Sequence, residues 1–109
     1  MLVSATRFHY RSVCDLAPVS VHALRLRRGW DARPGAVGLL TGSQPLKAVT
    51  YSLSVWTGEE HLRGFLRAPD HADLMRRYRP RLLDVRSVVW ETADLRPAEL
   101  WREGLARLG

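Results

Sequence analysis

In the stretch SVWTGEEHLRGFLRAPDHADLM, Ser54 to Met75, an indole at Trp56 closes an alternating segment and an imidazole at His71 falls on the apolar side of a helical one. An imidazole with an ordinary pKa of ~6.5 is largely neutral near pH 7 and can accept a proton. An indole can stack on an aromatic ring or donate its N–H. An imidazole and an indole aimed inward mark a ligand cavity, and His71 and Trp56 are the candidate catalytic residues. Ser52 and Ser54 share a strand side with Trp56 and offer small hydroxyls that leave space, as a ligand pocket needs. Met75, one helical turn beyond His71, points the same way. His9 and Tyr10 end the first alternating segment, where a cavity mouth would lie, and Trp90 ends the last; these too are candidate substrate contacts.

The elements that must position these groups follow from periodicity. Leu2 to Tyr10 alternates, with Leu2, Ser4, Thr6, Phe8 and Tyr10 on one side and Val3, Ala5, Arg7 and His9 on the other. A short helix through Val21, Leu24 and Arg28 ends at Gly29, and DARPG reads as a loop. Strands are expected at Ala36–Thr41, closed by the turn-like GSQP, and at Lys47–Trp56. In the latter, Val49, Tyr51, Leu53 and Val55 form a core row against Ala48, Thr50, Ser52, Ser54 and Trp56. Thr57 caps a helix whose buried stripe is Leu62, Phe65 and Leu66. Pro69 opens the next helix, with His71, Leu74, Met75 and Tyr78 inward, and Pro80 ends it. Val85–Glu91 is the fourth strand, and RPAELWREGLARL a last helix burying Ala98, Trp101, Leu105 and Leu108.

The order is β, α, β, β, α, β, α: an α+β, ferredoxin-like βαββαβ pattern with a four-stranded antiparallel sheet and a C-terminal helix, in one domain over residues 1–109. The helices of such a pattern cover one sheet face, so Trp56 and Trp90 would be kept from water on the other by a homodimer packing sheet toward sheet.

Cys14 is the only cysteine, which excludes an intramolecular disulfide and a cysteine metal cluster and suits a reducing cytoplasm. The alternating, arginine-bearing N-terminus does not read as a signal peptide, and no run of ~18 apolar residues suggests a membrane span. The net charge is +6, carried by dispersed arginines with one dense cluster, MRRYRPR. That charge permits nucleic-acid binding, but the K/R-G-F/Y-G/A-F-V-x-F/Y signature of RNA-binding sheets is absent, and nucleic acid is not the expected partner. G-x-S-x-G, G-x-x-x-x-G-K, H-E-x-x-H and a helix-opening G-x-G-x-x-G are absent too. Glu59, Glu60 and His61 diverge around a helix start and form no site.

The stretches RPGAVGLLTG, YSLSVWTGEEHLRGFLRAPDH with LMRRYRPRL, and VRSVVWET resemble the dimeric α/β-barrel superfamily that includes the antibiotic-biosynthesis monooxygenases, and most nearly its small uncharacterised members. The resemblance implies a homodimer with a cavity between the sheet and its covering helices, and a hydrophobic aromatic or polyketide-like substrate of secondary metabolism. It implies monooxygenation without metal or flavin, the ionised substrate itself giving an electron to dioxygen, or a related base-assisted isomerisation or cyclisation. His71 would take the proton, Trp56 would hold the ring, and Arg7 or Arg86 would face the developing anion. Haem-using relatives supply the alternative: their axial histidine falls at Met75, and their ruffling aromatic near Phe65, so that only Met75 or His71 would remain to hold iron. A dimer that binds a ligand without catalysis is the third class.

Overall fold

The computed structural model describes all 109 residues, Met1–Gly109. Strands β1 (Leu2–Tyr10), β2 (Ala36–Gln44), β3 (Val49–Trp56) and β4 (Leu82–Glu91) form one antiparallel sheet in the order β2-β3-β1-β4. Helix α1 (Leu16–Arg28) joins β1 to β2, helices α2 (Glu59–Arg67) and α3 (Pro69–Tyr78) join β3 to β4, and α4 (Pro97–Leu108) follows the sheet. This is the ferredoxin-like α+β arrangement expected from periodicity. Several ends differ: β2 runs on to Gln44, its turn is the 3-10 segment Pro45–Lys47 with Ala48 left-handed at φ 55°, and Gly58 rather than Thr57 sits at the N-cap of α2.

α4 covers one face of the sheet, and α1–α3 cover the β2–β3 side of the other, leaving Val85, Ser87 and Val89 of β4 exposed on that face. Pairing lines up Leu40, Leu53, Ala5 and Val88 across one face, with Gly38, Val55, Val3 and Trp90 in the next row. These rows pack with Leu100 and Leu108 of α4 into the main core. α4 comes this close because residue 104 lacks a side chain: a Cβ there would stand 3.2 Å from Leu53 Cδ1 and 3.3 Å from the Trp90 ring. The inward stripe of α4 is accordingly Leu100, Gly104 and Leu108, with Trp101 against Tyr51 at 6.4 Å; Leu105, expected inside, is 47% exposed. Leu66, expected in the buried stripe of α2, is likewise exposed.

The expectation that Trp56 and Trp90 share an uncovered face does not hold. Trp90 lies beneath α4, with the Arg107 guanidinium 5.3 Å from its ring, and Trp56 is wholly buried on the opposite face in a cluster with Leu2, Trp30 and Leu62. Neither indole requires a second subunit to leave water.

Candidate functional site

Between the sheet and α1, α2 and α3 lies a cavity of about 420 Å³. Its floor is written by strand alternation: Leu39 and Ser54 form one row, Thr41 and Ser52 the next, and Ser43, Thr50 and Phe8 a third. Hydroxyls dominate because these residues occupy the alternate positions to the apolar row under α4. Small floor side chains leave room above the sheet, while Val19 and Ala23 of α1 and Leu74, Met75 and Tyr78 of α3 roof the space with apolar atoms.

One end is aromatic. Trp30, in the 3-10 turn Trp30–Ala32 that follows α1, meets Trp56 edge-on at 5.1 Å and Phe65 at 5.2 Å, and Phe65 lies 4.5 Å from the His71 ring. Pro69 opens α3, so His71 falls in its first turn and projects toward Phe65. Asp70 fixes this end: it pairs with Arg33 and accepts the His71 backbone N–H at 2.9 Å, and the Arg33 guanidinium lies 4.7 Å from the Phe65 ring. Arg33 and the N–H hold the Asp70 carboxyl below its ordinary range against the opposing effect of desolvation.

His71 is half-buried, and burial lowers its pKa; the nearby Leu66 backbone and the Asp70 charge oppose that shift without reversing it. Its Nδ1 is buried and has no partner of hydrogen-bonding geometry, and neither has Trp30 Nε1. Buried donors and acceptors are nearly always paired in folded proteins. Both atoms belong to residues that line one cavity, but they are themselves closed to a water-sized molecule, so that a ligand would meet them only after the side chains turn. A neutral imidazole there can accept a proton from a ligand, and an indole N–H can donate to a ligand oxygen.

The cavity brings together Ser52, Ser54, His71, Met75 and Tyr10, as the sequence placed them. Tyr10 shares a hydrogen bond of 3.1 Å with Thr50, and burial raises its phenol pKa. Trp56 stands behind the lining: its Nε1 donates to Ser54 Oγ at 2.9 Å, so the indole orients that hydroxyl and has no N–H left for a substrate. Four candidates belong elsewhere. Trp90 is beneath α4; Arg7 pairs in register with Arg86 and Tyr51, and His9 with Val49, all on the α4 side of the sheet. The reason is the pleat: odd positions of β1 share the α4 face with Val3 and Ala5. Trp30, Arg33 and Arg27 were passed over in the sequence because they lie at or just beyond a helix end; a tryptophan directly after the terminating Gly29 was the one available sign.

His71 and Met75, the residues the haem alternative would need, both line the cavity, and no cluster of three His, Cys, Asp or Glu side chains forms a metal site. No helix is long and apolar enough to cross a membrane.

No protein-family model and no curated protein matches the sequence. Solved structures match its fold. A Deinococcus radiodurans protein described provisionally as an antibiotic biosynthesis monooxygenase superposes with a TM-score of 0.71 at 13% identity, over 88% of this chain and 96% of its own. SnoaB of Streptomyces nogalater, described as a cofactor-independent oxygenase, gives 0.69 at 15% identity over 88% and 96%. A Nitrosomonas europaea protein with the same provisional description as the first gives 0.76 at 5% identity over 86% and 91%. The chain has the fold of these antibiotic-biosynthesis-monooxygenase-like structures.

Proposed function

We propose that the protein is a cofactor-independent oxygenase of a hydrophobic aromatic or polyketide-like molecule, of the kind found in secondary metabolism, acting in the cavity between the sheet and α1–α3. The observation that carries this reading is His71, its pKa lowered by burial and its ring 4.5 Å from Phe65, in the lining of a space the size of a small polycyclic ligand. The shared fold with SnoaB supports the reaction class.

In this reading Trp30 and Phe65, backed by Trp56, seat the ring system and exclude water. His71 removes an acidic proton from the substrate; the resulting anion is stabilised by N–H and O–H donors of the lining, and it gives up an electron to dioxygen. Overall, a ring CH2 and O2 become C=O and water. Base-assisted isomerisation or cyclisation would use the same base and the same donors without oxygen.

Oxygen uptake with anthrone-type phenols tests the reading. Turnover should be lost by about 10²-fold or more in His71→Gln, the range a positioned general base contributes. Unchanged turnover in that variant removes the base assignment, and cyclised or isomerised product without oxygen uptake moves the reaction class. Haem is the control ligand: saturable binding at one haem per chain, lost in His71→Ala or Met75→Ala, would move the reading to haem chemistry.

A cytoplasmic homodimer belongs to the same reading. Its support is now β4, an edge strand whose Leu83, Val85 and Val89 are 56%, 43% and 52% exposed, rather than the two tryptophans. Light scattering of the purified protein checks it, a monomer mass at micromolar concentration being the contrary result.

A further inference from the structure

Along the β2 edge the cavity lining is chemically unlike its aromatic cluster. Arg27, in the last turn of α1, reaches over strand β2 and donates to Thr41 Oγ1 at 3.2 Å and to the Leu39 carbonyl at 3.3 Å. Both acceptors are neutral and both bonds are long. Arg27 has no carboxylate partner, a state it shares with Arg7, Arg11, Arg25, Arg28, Arg67, Arg77, Arg79 and Arg86; what sets it apart is its place in the cavity lining. The cavity lining contains no aspartate or glutamate, and Arg27 is its only permanently charged side chain. Covering the edge of β2 accounts for two of its N–H groups and leaves the remaining donors of the guanidinium free.

What surrounds that charge is a set of hydroxyls. Thr41 pairs in register with Ser52, and Ser43 with Thr50, all on the cavity side of the sheet. Ser43 and Ser52 make no side-chain hydrogen bond within the protein, so their O–H groups are free to turn toward a ligand beside the guanidinium. An uncompensated cation flanked by neutral O–H donors and facing no acidic group matches an oxyanion.

We propose that Arg27, with Thr41, Ser43 and Ser52, forms an anion subsite at the β2 edge of the cavity, and that the preferred ligand is an aromatic molecule bearing a carboxylate or an acidic phenolic oxygen. This deepens the oxygenase reading by naming the substrate class, and rests on that reading only in placing the ring at the aromatic end. Arg27 acts on binding and orientation. The reacting carbon lies with His71, so loss of Arg27 should raise KM more than it lowers kcat.

The test uses a matched pair of probes, anthraquinone-2-carboxylate and anthraquinone-2-carboxamide, in equilibrium dialysis against the purified protein. Wild type should bind the carboxylate about tenfold more tightly than the amide, a preference sized for a charge-assisted contact at a partly exposed rim, and one that shrinks with added salt. Arg27→Gln should erase the preference while binding the amide as wild type does, which also shows that the variant is folded; Arg27→Lys should keep part of it. Equal affinity of wild type for the two probes, or a preference that survives in Arg27→Gln, overturns the subsite while leaving the oxygenase reading standing. Failure of both probes to bind wild type overturns the cavity reading and this inference with it.

Discussion

The two faces of the sheet are made from the same strands and do opposite things. On the α4 side, Val3, Ala5, Leu53, Val55 and Trp90 close against Leu100, Gly104 and Leu108 without a gap. On the other side, alternate residues of the same strands present Thr41, Thr50, Ser52 and Ser54 beneath helices that stand off and leave about 420 Å³. Apolar rows gain free energy by closing up, whereas a floor of hydroxyls would lose hydrogen-bonding partners if an apolar helix settled onto it. One face thus carries stability and the other carries the site, and β3 serves both by alternation alone.

The largest effect should therefore come from the closed face. Leu53 has no exposed surface, and Leu53→Ala should cost about 2–5 kcal/mol of unfolding free energy, the range for truncating a fully packed leucine. Met75, half-buried over the cavity, should cost under ~1.5 kcal/mol as Met75→Ala, because little packed volume is lost, yet it should alter aromatic-ligand affinity. Urea denaturation of both variants, paired with ligand titration, checks the contrast; comparable destabilisation would mean the cavity is packed shut in solution.

How much of this was readable beforehand follows the same division. Period-2 alternation over Val49–Trp56 separated the two faces of β3 correctly, because both rows run unbroken there, and the inward phase of His71 and Met75 on α3 came from plain helical spacing. Which helix covers which face is a tertiary fact. Nothing local in β1 or β4 says that Arg7, His9, Arg86 and Trp90 lie across the sheet from His71, and nothing in α4 distinguishes Leu105 outside from Leu100 inside once Gly104 is allowed to set the contact. Trp30 and Arg27 escaped for another reason: residues at a helix end have no periodic neighbours to fix their direction, and their roles depend on where α1 ends relative to β2.

Within the cavity face, two neighbouring indoles sharpen the comparison on a smaller scale. Trp56 and Trp30 stand 5.1 Å apart, both buried, but Trp56 Nε1 donates to Ser54 and Trp30 Nε1 has no partner. Trp56→Phe should destabilise the fold by about 1–2 kcal/mol more than Trp30→Phe does, since only the former breaks a buried hydrogen bond. Ligand affinity should move the other way, falling more in Trp30→Phe, which removes the free N–H that a bound oxygen would meet once the side chain turns. Thermal unfolding and titration of the two variants side by side decide it, and equal stability losses would mean that the Trp56–Ser54 bond contributes nothing net.

The smallest expected effect is electrostatic and belongs to His71. Burial is the main cause of its lowered pKa, the Arg33 charge adds to it, and the Leu66 backbone and Asp70 charge oppose it. Because the folded protein binds this proton less readily than the unfolded chain, acidification favours unfolding: the unfolded imidazole protonates first, near its ordinary value of ~6.5. His71 should thus leave stability untouched above that pH and erode it as pH falls through the window down to its depressed folded value. The slope is modest, since the ring is only half-buried and Asp70 stands ready to pair with an imidazolium. His71→Gln should remove this part of the acid slope while the contributions of carboxylates such as Asp70 and Asp94, both held below their ordinary range, remain at lower pH. Unfolding free energy measured from pH 7.5 to 5 in the two proteins separates them. Parallel curves would mean that the His71 ring is solvated in solution, and would weaken its assignment as a neutral base poised in the cavity.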